Sequence, residues 1–182
     1  MDLSYNRPAR VFHWLTVGLL VASFGIALSM TRMDAGDPKL RVYSWHEWVG
    51  ITIFGLTIAR AVWRLSHRPP PLDLPWPERV GAGLAYGGMY IVLIAQPIIG
   101  LMMSAAFGFR VVYLGVLPLP QLVAENHELA ERLKQVHFSL AMVLVALFLA
   151  HLGGVLYHHL ILQDGVLGRM LPGAGTRAGA NR

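Results

Sequence analysis

The sequence predicts an all-α integral membrane protein, a bundle of four transmembrane helices, on three observations. Four apolar segments, residues 11–30, 45–63, 80–106 and 136–160, each reach the roughly 20 residues a helix needs to cross a bilayer. The chain is 55% hydrophobic and only 14% charged, with a mean hydropathy of +0.51, whereas soluble domains carry about 25% charged residues. Its tryptophans, Trp14, Trp45, Trp48, Trp63 and Trp76, fall near segment ends, where amphipathic rings settle at the membrane interface. No segment alternates polar and apolar residues as a barrel strand would, so helices are the spanning element.

The first segment follows Arg7 and Arg10 and runs to Ala27-Leu28-Ser29, loosely like a secretory signal. Its apolar stretch exceeds the about 7–15 residues of a signal core and contains His13, so it reads as a retained span. Between the second and third spans, residues 68–77 open with Arg68-Pro69-Pro70-Pro71 and end at Pro77. Consecutive prolines favour polyproline II, which predicts a stiff, extended connection. The long connection 107–135 holds an apolar part, 111–122, expected to lie at the interface over the outer mouth. A polar helical stretch, 124–135, then leads into the fourth span. The chain reads as one unit over residues 5–172, with a Gly/Ala/Arg-rich tail, 173–182, expected to be disordered.

Orientation follows from lysine and arginine. Arg7, Arg10, Arg60, Arg64, Arg68, Arg79, Arg169, Arg177 and Arg182 lie at the N-terminus, around the connection between spans two and three, and in the tail. Only Arg32, Lys39, Arg41, Arg110, Arg132 and Lys134 lie in the other two connections, together with six acids. Both termini are therefore expected to be cytoplasmic. The basic residues sit at the ends of apolar runs and form no stripe, so the +5 net charge does not point to nucleic acid. The chain has no cysteine. That excludes disulfides, cysteine-ligated iron–sulfur clusters and covalently attached haem. No phosphate loop or nucleophile–base–orienter set is visible.

Histidine is the informative residue. His137 and His151 share the fourth span, fourteen residues apart. That is nearly four helical turns, about 40° in azimuth and about 21 Å along the axis. An ionisable side chain at membrane depth is costly and has a partner that justifies it. His13 lies near the cytoplasmic start of span one and His46 near the outer start of span two. Depth matches His13 with His151 and His46 with His137, which is what two bis-histidine haems need. A zinc site wants three or four converging ligands, which these spacings do not provide. Any haem here is non-covalent and b-type.

Gly50, four residues after His46, and Gly154, three after His151, either admit a flat macrocycle or serve helix packing. His67 and His127 read as solvated. His158 stays on nearly the same face as His151; it is either a contact to a quinone or haem propionate or an ordinary interfacial histidine. Arg10, Trp14 and His159 are its neighbours at that end.

Together these pieces resemble the bacterial di-haem cytochrome b561 family. The matching elements are Arg10-x-x-His13-Trp14, His46-x-x-x-Gly50, Pro97-x-x-Gly100, and Lys134-x-x-His137 with His151 fourteen residues on. His158-His159, Asp164 and Arg169-Met170-x-Pro172 complete the likeness. It runs from about residue 5 to 172 and is nearest to members described as superoxide:ubiquinone oxidoreductases. The resemblance implies a multi-pass protein of the bacterial inner membrane, with two b haems ligated by His13, His46, His137 and His151. It further implies electron flow from superoxide, or another periplasmic donor, to ubiquinone. The chain departs from the pattern at Tyr86, where many members carry histidine. Two other readings use the same residues: a cytochrome subunit docking a dehydrogenase or soluble cytochrome, and a non-haem transporter.

Overall fold

A computed structural model describes residues 4–67 and 74–171. Of the expected extended connection 68–77, residues 68–73 lie outside these residues, as does the expected disordered tail (173–182), while Trp76 and Pro77 are not extended but open a helix, because proline fits the first helical turn. The order is α1 (Arg7–Thr31), α2 (Asp37–Ser66), α3 (Trp76–Ala106), a hairpin of β1 (Val112–Tyr113) and β2 (Leu117–Pro118), and α4 (His127–Tyr157). A π turn, His158–Leu162, and a 3-10 turn, Leu167–Arg169, follow α4. All four helices are long and apolar enough to cross a membrane.

The helices outrun the apolar segments read from the sequence. At 25, 30, 31 and 31 residues and about 1.5 Å per residue, each exceeds the roughly 30 Å hydrocarbon core. Their polar ends are locally specified. α1, α2 and α3 each carry proline in the first helical turn, where its missing N–H costs nothing. Asn6 and Asn126 cap α1 and α4, accepting from the Ala9 and Leu129 amides at 3.1 and 3.0 Å. The polar stretch before the fourth span is thus the first two turns of α4 itself. Thr16 and Thr57, buried at 5% and 2% exposure, each donate to the carbonyl four residues back at 2.7 Å, so neither leaves a polar group unmet.

α1 packs on α2 and α3 packs on α4, while α2 against α3 joins the two pairs. Large side chains such as Val21, Ile91 and Leu149 remain exposed, as lipid-facing residues do. Close helix contact is left to small residues. Gly88 lies against Leu147, and Ala106 and Ala130 are fully buried at the outer end of the α3–α4 seam with Leu133. Ala130→Leu overfills that seam and is expected to cost about 1–3 kcal/mol, read as a lower thermal midpoint in detergent.

The apolar part of the outer connection folds as the hairpin, with Val112 opposite Pro118 and Tyr113 opposite Leu117. Leu114 and Gly115 take positive φ at its tip. Its backbone is anchored to α2, because Trp48 Nε1 donates to the Val112 carbonyl at 2.8 Å. Thr52 Oγ1 and the Tyr113 hydroxyl share a 2.9 Å hydrogen bond. The sequence-based interfacial segment is therefore a short hairpin clamped beside the turn that carries His46.

Candidate functional site

Two pairs of imidazoles face each other at opposite ends of the bundle. His13 of α1 meets His151 of α4 with ring centroids 6.5 Å apart and planes at 70°. His46 of α2 meets His137 of α4 at 6.2 Å and 76°. Neither α1 with α4 nor α2 with α4 belongs to the closely packed helix pairs. The imidazoles meet where the backbones stay apart.

The surroundings fit an iron porphyrin. One metal ion between two ring nitrogens, at about 2 Å from each, puts imidazole centroids about 6 Å apart, close to both observed separations. Among the described residues, Nδ1 of His13 and Nδ1 of His137 are buried without a hydrogen-bond partner, a costly state that a ligand relieves. Nδ1 of His46 is 3.4 Å from the Ser23 hydroxyl. A Cβ added at Gly50 or Gly154 would touch nothing within 4 Å, so neither glycine serves helix packing. Gly100 is different. A Cβ there would stand 3.2 Å from His137 Cε1, so the Pro97-x-x-Gly100 element brings α3 against the His137 ring. Gln96 Nε2 donates to the His137 carbonyl at 2.9 Å and ties α3 to the same turn. Among the described residues, no group of three or more His, Asp or Glu is placed to hold a metal ion, which leaves the paired imidazoles.

At the end of the bundle that carries His46 and His137, Glu47 turns toward α3, where Ser104 Oγ donates to it. Arg132 is paired with Glu128 at 2.6 Å and Lys134 with Glu131 at 3.1 Å, so these two contribute little net positive potential. Lys39 donates to the Met33 carbonyl. Arg32, Arg41 and Arg110 have no ion pair among the described residues.

At the opposite end, beyond His13 and His151, His158 starts the π turn and is flanked by two carboxylates, Asp164 at 2.5 Å from Nδ1 and Glu78 at 3.7 Å from Nε2. Arg10 and Trp14 donate to the Leu171 and Met170 carbonyls at 2.9 and 3.0 Å, and the Tyr5 amide to that of Arg169 at 3.1 Å. They hold the C-terminal segment across α1. His159 is exposed, and so are His67, stacked on Trp63 at 3.9 Å, and His127. Sequence reasoning missed a cleft lined by Asn6, Ala9, Arg60, Arg64, Tyr86 and Tyr90 among others. The fourteen-residue spacing of His46 and Arg60 was its one available signal.

The hydrogen bond from His158, with a second from the Val166 amide, holds the Asp164 carboxyl below its ordinary range. Its contribution is complete above the usual carboxylate range and disappears as pH falls through the lowered value. Asp164→Asn should therefore free the segment after the π turn, seen as several-fold faster protease nicking there at neutral pH.

The prokaryotic cytochrome b561 family matches residues 4–173. The chain belongs to that family. A relative named probable superoxide oxidase CybB, from Yersinia pestis, is 31% identical, covering 94% of this chain and 98% of its own. Cytochrome b561 homolog 2 of Escherichia coli (strain K12) is 30% identical, covering 92% and 90%. Cytochrome b561 homolog 1 of the same organism is 29% identical, covering 92% and 97%. As a prokaryotic cytochrome b561, the chain is a multi-pass bacterial membrane protein of electron transport, in a family that binds b-type haem.

Proposed function

We propose that this cytochrome b561 binds two b haems and moves electrons from superoxide at the outer face to a quinone, taken as ubiquinone, at the inner face of the bacterial inner membrane. His46 and His137 would hold the outer haem and His13 and His151 the inner one, with both termini cytoplasmic. Haem iron between two imidazoles supplies reversible one-electron chemistry. The observation that carries the reading is α4, which places one histidine in each facing pair, about 21 Å apart along its axis.

The chain's own residues have definable tasks. The Ser23 hydroxyl fixes the ring orientation of His46. Gln96 locks the His137 turn against α3. An anionic donor is attracted by Arg32, Lys39, Arg41 and Arg110, the outer cations without an ion pair among the described residues. Two superoxide anions each lose one electron and leave as dioxygen, while one quinone takes two electrons and two protons to become quinol. His158, between Asp164 and Glu78, is the inner group suited to pass those protons, because one imidazole nitrogen can accept a proton while the other donates one. The name of the Yersinia pestis relative supports superoxide as donor.

The test adds superoxide to the purified, quinone-loaded protein and follows the haem α band and quinol together. Quinol formation should exceed that of His137→Ala and His151→Ala. Equal rates in all three would remove superoxide-to-quinone transfer. Failure with superoxide but ready chemical reduction would redirect the donor to a protein partner. A haem-to-protein ratio of one would overturn the two-site assignment.

A further inference from the structure

Arg60 lies fourteen residues after His46 on α2, the same spacing that separates His137 from His151 on α4. It is therefore about 40° from His46 in azimuth and about 21 Å deeper toward the inner end. α2 thus repeats the design of α4 with an outer histidine and an inner arginine. The Arg60 guanidinium is within electrostatic reach of both His13 and His151. Ala9, one turn before His13 on α1, lines the cleft that Arg60 enters.

Arg64 follows one turn later, and α3 receives both side chains. Arg60 sits 5.7 Å from the centroid of the Tyr90 ring and Arg64 4.2 Å from that of Tyr86. Arg64 donates to the Tyr86 hydroxyl, which donates to the Tyr90 hydroxyl at 3.1 Å. Arginines serving only as interfacial anchors extend toward headgroups; Arg60 is instead half-buried over the Tyr90 ring, and Arg64, though exposed, lies on the face of Tyr86.

Among the described residues neither arginine pairs with a carboxylate, and no acid lines the cleft. The acids recorded near this end, Glu78 and Asp164, face His158 instead. Two guanidiniums on successive turns repel each other, and the rigid fork of each is matched to planar carboxylates.

We infer that Arg60 and Arg64, braced by Tyr90 and Tyr86, form a carboxylate cradle that holds the propionates of a haem bound between His13 and His151. The inference rests on the inner-haem assignment proposed above. Tyr86, where the family pattern has histidine, then acts as the brace for Arg64. These arginines are positioning residues for the cofactor. They also favour its reduced form, because reduction removes one positive charge from the iron centre.

The experiment compares wild-type protein with Arg60→Gln, Arg60→Lys and Arg64→Gln in a spectroscopic redox titration, with resonance Raman spectra of the propionate bending band. In Arg60→Gln the haem that disappears in His151→Ala should become about tenfold harder to reduce, about 59 mV for one electron, with its propionate band shifted. The other haem should not move. Arg64→Gln should act in the same direction by less, and Arg60→Lys should restore most of the potential.

An unchanged potential and band in Arg60→Gln, with two haems present, would overturn the cradle alone. A potential that responds to anionic lipid in wild type but not in Arg60→Gln, with the band unmoved, would make a headgroup phosphate the occupant and equally overturn it. Fewer than two haems in the wild-type protein would overturn the inner-haem assignment and the cradle with it.

Discussion

On the proposed two-haem reading, His151→Ala should leave one haem per chain in place of two, abolish quinone reduction, and still allow the remaining haem to be reduced from the outer side. The expected effect is large because the substitution removes an axial donor and leaves His13, whose Nδ1 is already buried without a partner among the described residues, facing an empty side chain. Changes to groups that merely orient a metal ligand cost about 10–100-fold in affinity, and loss of the ligand itself exceeds that. The outer pair should survive, since His46 and His137 meet about four helical turns away. The measurement is a pyridine haemochrome ratio with a reduced-minus-oxidised spectrum. Loss of the outer haem in its place would contradict the depth assignment of the pairs.

Gly100→Leu should produce the mirror result, depleting the outer haem and lowering the thermal midpoint. A Cβ at this position would lie 3.2 Å from Cε1 and 3.5 Å from Nδ1 of His137, so a full side chain has no room beside the ring. Either the imidazole swings away from His46 or α3 retreats from α4, whose outer seam is closed by buried Ala106 and Ala130. Overfilling of this kind costs about 1–3 kcal/mol. Gly88→Leu is the control. It collides with the Leu147 side chain, 3.1 Å from the added Cβ, ten residues along α4 from His137. It should lower stability while leaving the outer haem intact, which separates an effect on the His46/His137 pair from a packing effect.

Much of the architecture is legible in composition and spacing. Hydropathy placed three spans inside observed helices and the fourth, 136–160, across α4 and the start of the π turn that follows it. The depth of each histidine anticipated which rings would face each other, because rise per residue converts sequence position directly into height in the bilayer. Less was legible where local chemistry competes with length. The apolar stretch 111–122 is too short to span and too irregular for a periodicity argument, and it becomes a hairpin because Trp48 and Thr52 of α2 offer it polar anchors. The outer cations were countable, but only the folded helix shows that Arg132 and Lys134 are spent on Glu128 and Glu131.

The inner end shows the division most sharply. Sequence alone determined that four histidines stand at two depths on three helices, with His158 one helical repeat beyond His151. These are properties of single helices, set by a fixed rise and a fixed turn per residue. Only the tertiary structure decided that His158 is met by Asp164 and Glu78, that Arg60 and Arg64 turn onto Tyr90 and Tyr86, and that Gly100 abuts His137. Each of those contacts depends on how one helix is rotated about its axis relative to a neighbour. That rotation is settled by close packing across the α1–α2 and α3–α4 seams, through small residues and hydrogen bonds far apart in the chain.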